Sequence, residues 1–111
     1  MEKGLKIREF RVATCSLNQL ALDFDENQRR IIESIQRSQE AGADLRVGPE
    51  LEIPGYGCED AFFELDTTYF SWKVLEKILK IQFKNILIDV GELMICAFKE
   101  SSNPKRQVCQ F

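Results

Sequence analysis

With 111 residues, 44% of them hydrophobic and 30% charged, and a formal net charge of −3, the chain reads as one soluble globular domain with a modest core and no basic face for nucleic acid. The absence of histidine excludes a Ser-His-Asp or Cys-His catalytic pair and a zinc site of the usual Cys/His type. Cysteines stand at 15, 58, 96 and 109 without Cys-x-x-Cys spacing, so no metal is expected; they read as reduced intracellular thiols, which implies a cytoplasmic protein.

In chain order, residues 1–9 are a charged lead-in with Lys3 and Lys6 but no apolar core behind them, so no secretory signal is expected. Phe10 to Leu17 is rich in β-branched and small residues and predicts a strand, with Val12, Thr14 and Ser16 on one face and Phe10, Ala13 and Cys15 helping to pack it. Asp25 followed by Gln28 supplies a capping pair for a helix over about 26–41, whose apolar stripe is Ile31, Ile32, Ile35, Ser38 and Ala41 and which Gly42 ends. Ala43 to Val47 predicts a second strand, where the charge of Arg46 calls for an edge position or a polar pocket.

A short helical turn capped by Asp60 runs through Leu65, and a longer helix follows over 67–81 with Trp72, Leu75, Ile78 and Leu79 as its buried face. Ile86 to Val90 is a third strand, apolar enough to be covered on both sides. Leu93 to Phe98 forms a possible fourth, and Lys99 to Arg106 reads as a polar loop. The apolar region from Ile86 to Phe98 is broken by Asp89, Gly91 and Glu92 and falls short of the ~20 residues a spanning helix needs, so no membrane partner is expected. Strand, helix, strand, helix, strand predicts an α/β fold of parallel strands with both helices on one side of mainly one sheet.

The stretch Gly48-Pro49-Glu50-Leu51-Glu52-Ile53-Pro54-Gly55-Tyr56-Gly57-Cys58-Glu59-Asp60 carries the candidate chemistry. Pro49 biases Gly48 away from helix and presents Glu50 where the second strand ends, while Pro54-Gly55-Tyr56-Gly57 has the makings of a tight reversal. Taken alone, Glu50 reads first as a solvated turn carboxylate and only second as a catalytic group. Glu52 would share its side if the segment were extended, although a structural role suits it better. Tyr56 either walls a pocket or packs over its own turn, and Glu59 and Asp60 read as capping charges.

These residues resemble the nitrilase-type (carbon-nitrogen hydrolase) glutaminase domain of the glutamine-dependent NAD synthetases. The resemblance rests on Val12-Ala13-Thr14-Cys15-Ser16-Leu17-Asn18-Gln19, Ala21-Leu22-Asp23-Phe24 with Asn27, and Gly48-Pro49-Glu50-Leu51-Glu52-Ile53 running into Gly55-Tyr56-Gly57-Cys58. It extends over about 10–91, and the family has Trp where Leu20 stands. It implies a partial nitrilase-like α-β-β-α sandwich and hydrolysis of a glutamine side-chain amide by a Glu, a Lys and a Cys. Glu50 matches the Glu as general base, and Tyr56 is the candidate substrate-binding residue. The family's Lys and Cys match no position here, and its ATP-using synthetase domain is not represented, so no cofactor is expected. The expectation is a single incomplete glutaminase domain over 1–111, with an atypical tail at 92–111 and no activity of its own. Glutamine is the implied substrate, and the possible partners are a second copy or a full-length synthetase.

Overall fold

The computed structural model describes residues 9–98 and 105–110, with side chains described from 9 through 92. The expected lead-in therefore lies almost wholly outside the described residues, as does the loop at 99–104. The element order begins β1 (Val12–Thr14), α1 (Phe24–Glu40), β2 (Leu45–Val47), α2 (Leu65–Lys80) and β3 (Leu87–Asp89), with a 3-10 turn at Glu59–Phe63 between β2 and α2. These three strands form one parallel sheet in the order β1-β2-β3, which is the expected α/β arrangement. They are shorter than the sequence suggested, three residues each.

Beyond them, β4 (Leu93–Phe98) pairs antiparallel with β5 (Lys105–Gln110) in a separate two-stranded sheet. The polar reading of the tail is thus corrected at Lys105 and Arg106, which belong to β5 and pair in register with Phe98 and Ala97. Backbone pairing with a neighbouring strand overrides the weak strand propensity of so polar a run.

Helix α1 starts two residues before the expected boundary. Asp23 occupies the N-cap position without a side-chain cap bond, so Asp25 is not the cap; with Glu26 it lies in the first turn, where negative charge suits the helix dipole. Its end is a Schellman motif. The Gly42 N–H bonds Gln39 O and the Ala43 N–H bonds Ser38 O, each within 3.0 Å, and Gly42 takes the left-handed φ of 77° that this motif requires.

Both helices feed one core. Ile31 and Ile35 from α1, Val74 and Ile78 from α2, and Ile53 from the loop after β2 form it, with Ile88 and Val90 packed against them. The α2 face is turned from the expected one: Ile78 is buried and Leu75 packs against the core as expected, but Thr67, Ser71 and Val74 are buried with them, whereas Trp72 is 46% and Leu79 68% exposed. Apolar residues run most of the way round this helix, and the side presenting small residues allows the closer approach. In α1 the correction is smaller, with Ala41 exposed, Ile32 half-buried and Ser34 joining the inward stripe.

Strand alternation sends Arg46 toward the helices and Leu45 and Val47 to the opposite face of the sheet. On that opposite face Val12, Leu45 and Leu87 stand in register, and Val12 and Leu87 are 51% and 64% exposed. Among the described residues, this face has no covering layer.

Candidate functional site

Glu50 follows directly on the carboxyl end of the central strand β2, through Gly48 and Pro49. In parallel α/β sheets this is the end of the strands where ligands bind. Its side chain is exposed and enters no ion pair among the described residues. Its backbone, by contrast, is closely packed. A Cβ on Gly91, just past β3, would strike the carbonyls of Pro49 and Glu50, so only glycine permits that approach. The Gly48 N–H donates to Asp89 O at 3.3 Å, tying the exit of β2 to the end of β3.

Residues 50–54 form a hydrogen-bonded turn in which the Gly55 N–H donates to Leu51 O at 2.9 Å, so the reversal begins earlier than Pro54. The turn separates the two carboxylates that an extended segment would have placed together: Glu50 faces out, whereas Glu52 is fully buried. Tyr56 lies beside the same turn, its hydroxyl accepting the Leu51 N–H at 3.2 Å and its ring 50% exposed. Glu59 and Asp60 both sit in the first turn of the 3-10 segment, which has Cys58 at its N-cap position and no side-chain cap.

Beneath Glu50 lies a buried polar group that the sequence signalled only through a charge in a strand. Arg46 is fully buried in the middle strand, which corrects the edge placement and bears out the polar pocket. Its Nη1 donates to Glu52 Oε1 at 2.6 Å and to Asp89 O at 3.0 Å. Its Nε and Nη2 donate to Ser34 Oγ at 3.1 and 2.7 Å. Burial pushes the Glu52 carboxyl above the usual glutamate range, against the opposing pull of Arg46. The Gly91 amide also favours the charged form, without reaching regular hydrogen-bond geometry to Oε2. Oε2 occupies the space that a side chain on Gly48 would need.

Asn27 is the other residue whose role only the fold reveals. Fully buried, it accepts the Leu20 N–H at 3.0 Å and donates to Leu20 O at 2.8 Å and Ile53 O at 3.0 Å, joining the loop after β1 to the turn that carries Glu50. Gln19 adds bonds to Asn27 O and Glu52 O at 3.0 and 2.6 Å.

Of the four thiols, Cys15 and Cys58 are described, and each is engaged away from Glu50. Cys58 is buried, points its Sγ at Pro54 O and Gly55 O at 3.4 and 3.3 Å, and is pushed up in pKa by that burial, which disfavours the nucleophilic thiolate. Cys15 contacts Ser38 Oγ at 3.8 Å. Among the described residues no cluster of three metal-ligating side chains occurs, and no helix is long and apolar enough to cross a membrane. A hollow of about 410 Å³ between α2 and β3 is lined mainly by Leu75, Ile78, Leu79, Phe83, Ile88 and Val90; neither Glu50 nor Tyr56 borders it.

Comparison with known proteins agrees with the family resemblance of the sequence. The family described as Carbon-nitrogen hydrolase matches residues 11–99. A glutamine-dependent NAD(+) synthetase of Oryza sativa subsp. indica is 54% identical over 86 residues, which is 77% of this chain and 12% of that protein. The glutamine-dependent NAD(+) synthetase of Saccharomyces cerevisiae is 51% identical over 81 residues, 72% of this chain and 11% of that protein. This chain thus spans about an eighth of the length of these relatives. The crystal structure of a glutamine-dependent NAD(+) synthetase from Cytophaga hutchinsonii superposes with a TM-score of 0.60 at 23% identity, over 91% of this chain and 17% of that one, a likeness of fold. With four-fifths of its residues matched, the chain belongs to the carbon-nitrogen hydrolase family.

Proposed function

We propose that the chain is the amino-terminal part of the glutaminase domain of a glutamine-dependent NAD synthetase, and that Glu50 is its general base. The observation that carries this reading is the placement of Glu50: an exposed carboxylate, without an ion pair among the described residues, on a firmly held backbone at the carboxyl end of the central parallel strand. In the reaction, Glu50 takes the proton of a cysteine thiol, and the thiolate attacks the glutamine amide carbon. A lysine stabilises the oxyanion, Glu50 returns the proton to departing ammonia, and water then cleaves the thioester. Tyr56 walls the glutamine pocket with its exposed ring. The ammonia serves amide formation in a separate ATP-using synthetase domain.

The 111 residues supply the base but no matching lysine or cysteine, and the one buried thiol close in sequence, Cys58, is turned into its own loop. The chain alone therefore releases no ammonia from glutamine above a Glu50→Gln control. Glutamine hydrolysis that disappears in Glu50→Gln would instead mean that the chain assembles a working site by itself.

A second reading follows from the uncovered sheet face bearing Val12 and Leu87: the chain pairs through it with a second copy or with a full-length synthetase as a non-catalytic partner. Retention of the full-length synthetase on the immobilised chain, lost in Leu87→Lys, would favour that reading; no retention would exclude the heteromeric form.

A further inference from the structure

The buried Arg46–Glu52 pair has a place in the chain that a merely stabilising ion pair would not need. The two residues flank the segment Val47-Gly48-Pro49-Glu50-Leu51, so their contact at 2.6 Å closes the chain into a short loop with Glu50 on its outer side. One end of the loop is held from three directions, because the Arg46 guanidinium also bonds Ser34 Oγ in α1 and Asp89 O in β3. The other end is set by Glu52, whose Oε2 fills the space beside Gly48 and whose main-chain carbonyl accepts Gln19 Nε2. With its Nε and Nη2 on Ser34 Oγ and its Nη1 also on Asp89 O, the planar guanidinium has a fixed orientation in which it meets Glu52 Oε1, a constraint that the freely rotating ammonium of a lysine could not impose. Fully buried ion pairs contribute little net stability against apolar replacements of similar volume, so a role in fixing geometry is the more economical account of this one.

We propose that Arg46 and Glu52 are positioning residues that fix the peptide carrying Glu50, an inference that rests on the catalytic role proposed for Glu50. The pair touches no reacting atom. It holds the turn at 50–54 in the one arrangement that turns Glu52 inward and Glu50 outward.

The test is amide hydrogen exchange, followed by NMR, on the 111-residue chain and on two variants, Glu52→Gln and Arg46→Met/Glu52→Leu. The local reporters are the amides of Leu51, bonded to the Tyr56 hydroxyl, and Gly55, bonded to Leu51 O; the Tyr56 ring signals provide a spectroscopic signature of the same turn. The reference reporters are Ile35 in α1 and Cys15, whose N–H bonds Val47 O. The double variant removes both charges together, and Asp89 O still accepts the Gly48 N–H.

In the double variant Ile35 and Cys15 are expected to keep their protection, while Leu51 and Gly55 exchange about tenfold faster, the effect of losing one hydrogen bond's worth of local order, and the Tyr56 signals shift. Glu52→Gln gives the same local pattern if it folds; if it does not, the double variant decides. Unchanged exchange at Leu51 and Gly55, loss of protection at all four amides in equal measure, or a double variant that no longer folds would each overturn the proposal. Glutamine hydrolysis is not read here, so failure of this inference is distinguishable from failure of the role assigned to Glu50.

Discussion

Replacing Asn27 by alanine tests whether the loop after β1 and the Glu50 turn are one structural unit. The substitution removes three hydrogen bonds of 2.8–3.0 Å, two to Leu20 and one to Ile53 O, from a residue with no exposed surface. Each bond contributes about 1 kcal/mol net, and the partners left unsatisfied add to the loss, while Leu20 O retains the Asp23 N–H at 3.3 Å. The expected destabilisation is therefore about 2–4 kcal/mol. In urea, with a slope of about 1–2 kcal/mol/M for a small domain, the midpoint should fall by roughly 1–4 M at unchanged slope and fixed protein concentration. Asn27→Asp should be no better at neutral pH, since it turns a charged oxygen toward the carbonyls that the amide now serves. A midpoint shift in Asn27→Ala below about 0.5 M would show that the two segments are not one unit, because it would mean the bonds are made equally well by water.

Ile35→Ala should cost about 2–5 kcal/mol and Leu79→Ala under about 0.5 kcal/mol, because the first side chain is fully buried and the second faces out; equal losses in thermal unfolding would contradict the α2 orientation described above. Since burial raises the folded-state pKa of Glu52, the native chain binds more protons than the unfolded one between the ordinary glutamate value and the raised one. Stability should accordingly fall as pH rises through that window, and Glu52→Gln should flatten the slope; a slope that persists undiminished in Glu52→Gln would exclude this origin. The exposed Val12, Leu87 and Phe63 predict concentration-dependent association in sedimentation velocity, reduced by Leu87→Lys, whereas a strictly monomeric chain at high concentration would contradict the reading of an uncovered sheet face.

Much of the scaffold was legible because its signals are local. The isoleucine stripe of α1, the glycine at its end and the short apolar runs of the strands need no distant information. Glu50 was legible as a candidate because Pro49 marks a strand exit. What remained hidden depends on contacts between remote residues. Arg46 signals a problem, a charge in a covered strand, but its solution requires the 50–54 turn that carries Glu52 inward, and the sequence favoured a later reversal at Pro54. Asn27 looks like any polar residue at a helix start until the loop at Leu20 and the carbonyl of Ile53 converge on it. On α2 hydrophobicity alone selects Trp72 and Leu79 beside Leu75 and Ile78, whereas packing selects the smaller Thr67 and Ser71.

Whether Glu50 is the base for glutamine hydrolysis can be read from a chimera. Residues 10–91 of this chain would replace the corresponding segment of the Saccharomyces cerevisiae glutamine-dependent NAD(+) synthetase, to which the matched region is 51% identical. NAD formation would then be measured with glutamine or with free ammonia as nitrogen donor. The chimera is expected to use both donors, and Glu50→Gln to lower glutamine-driven synthesis by at least about a hundredfold while leaving ammonia-driven synthesis intact. Glutamine-driven synthesis that survives Glu50→Gln, in a chimera shown to be active with both donors, would contradict it.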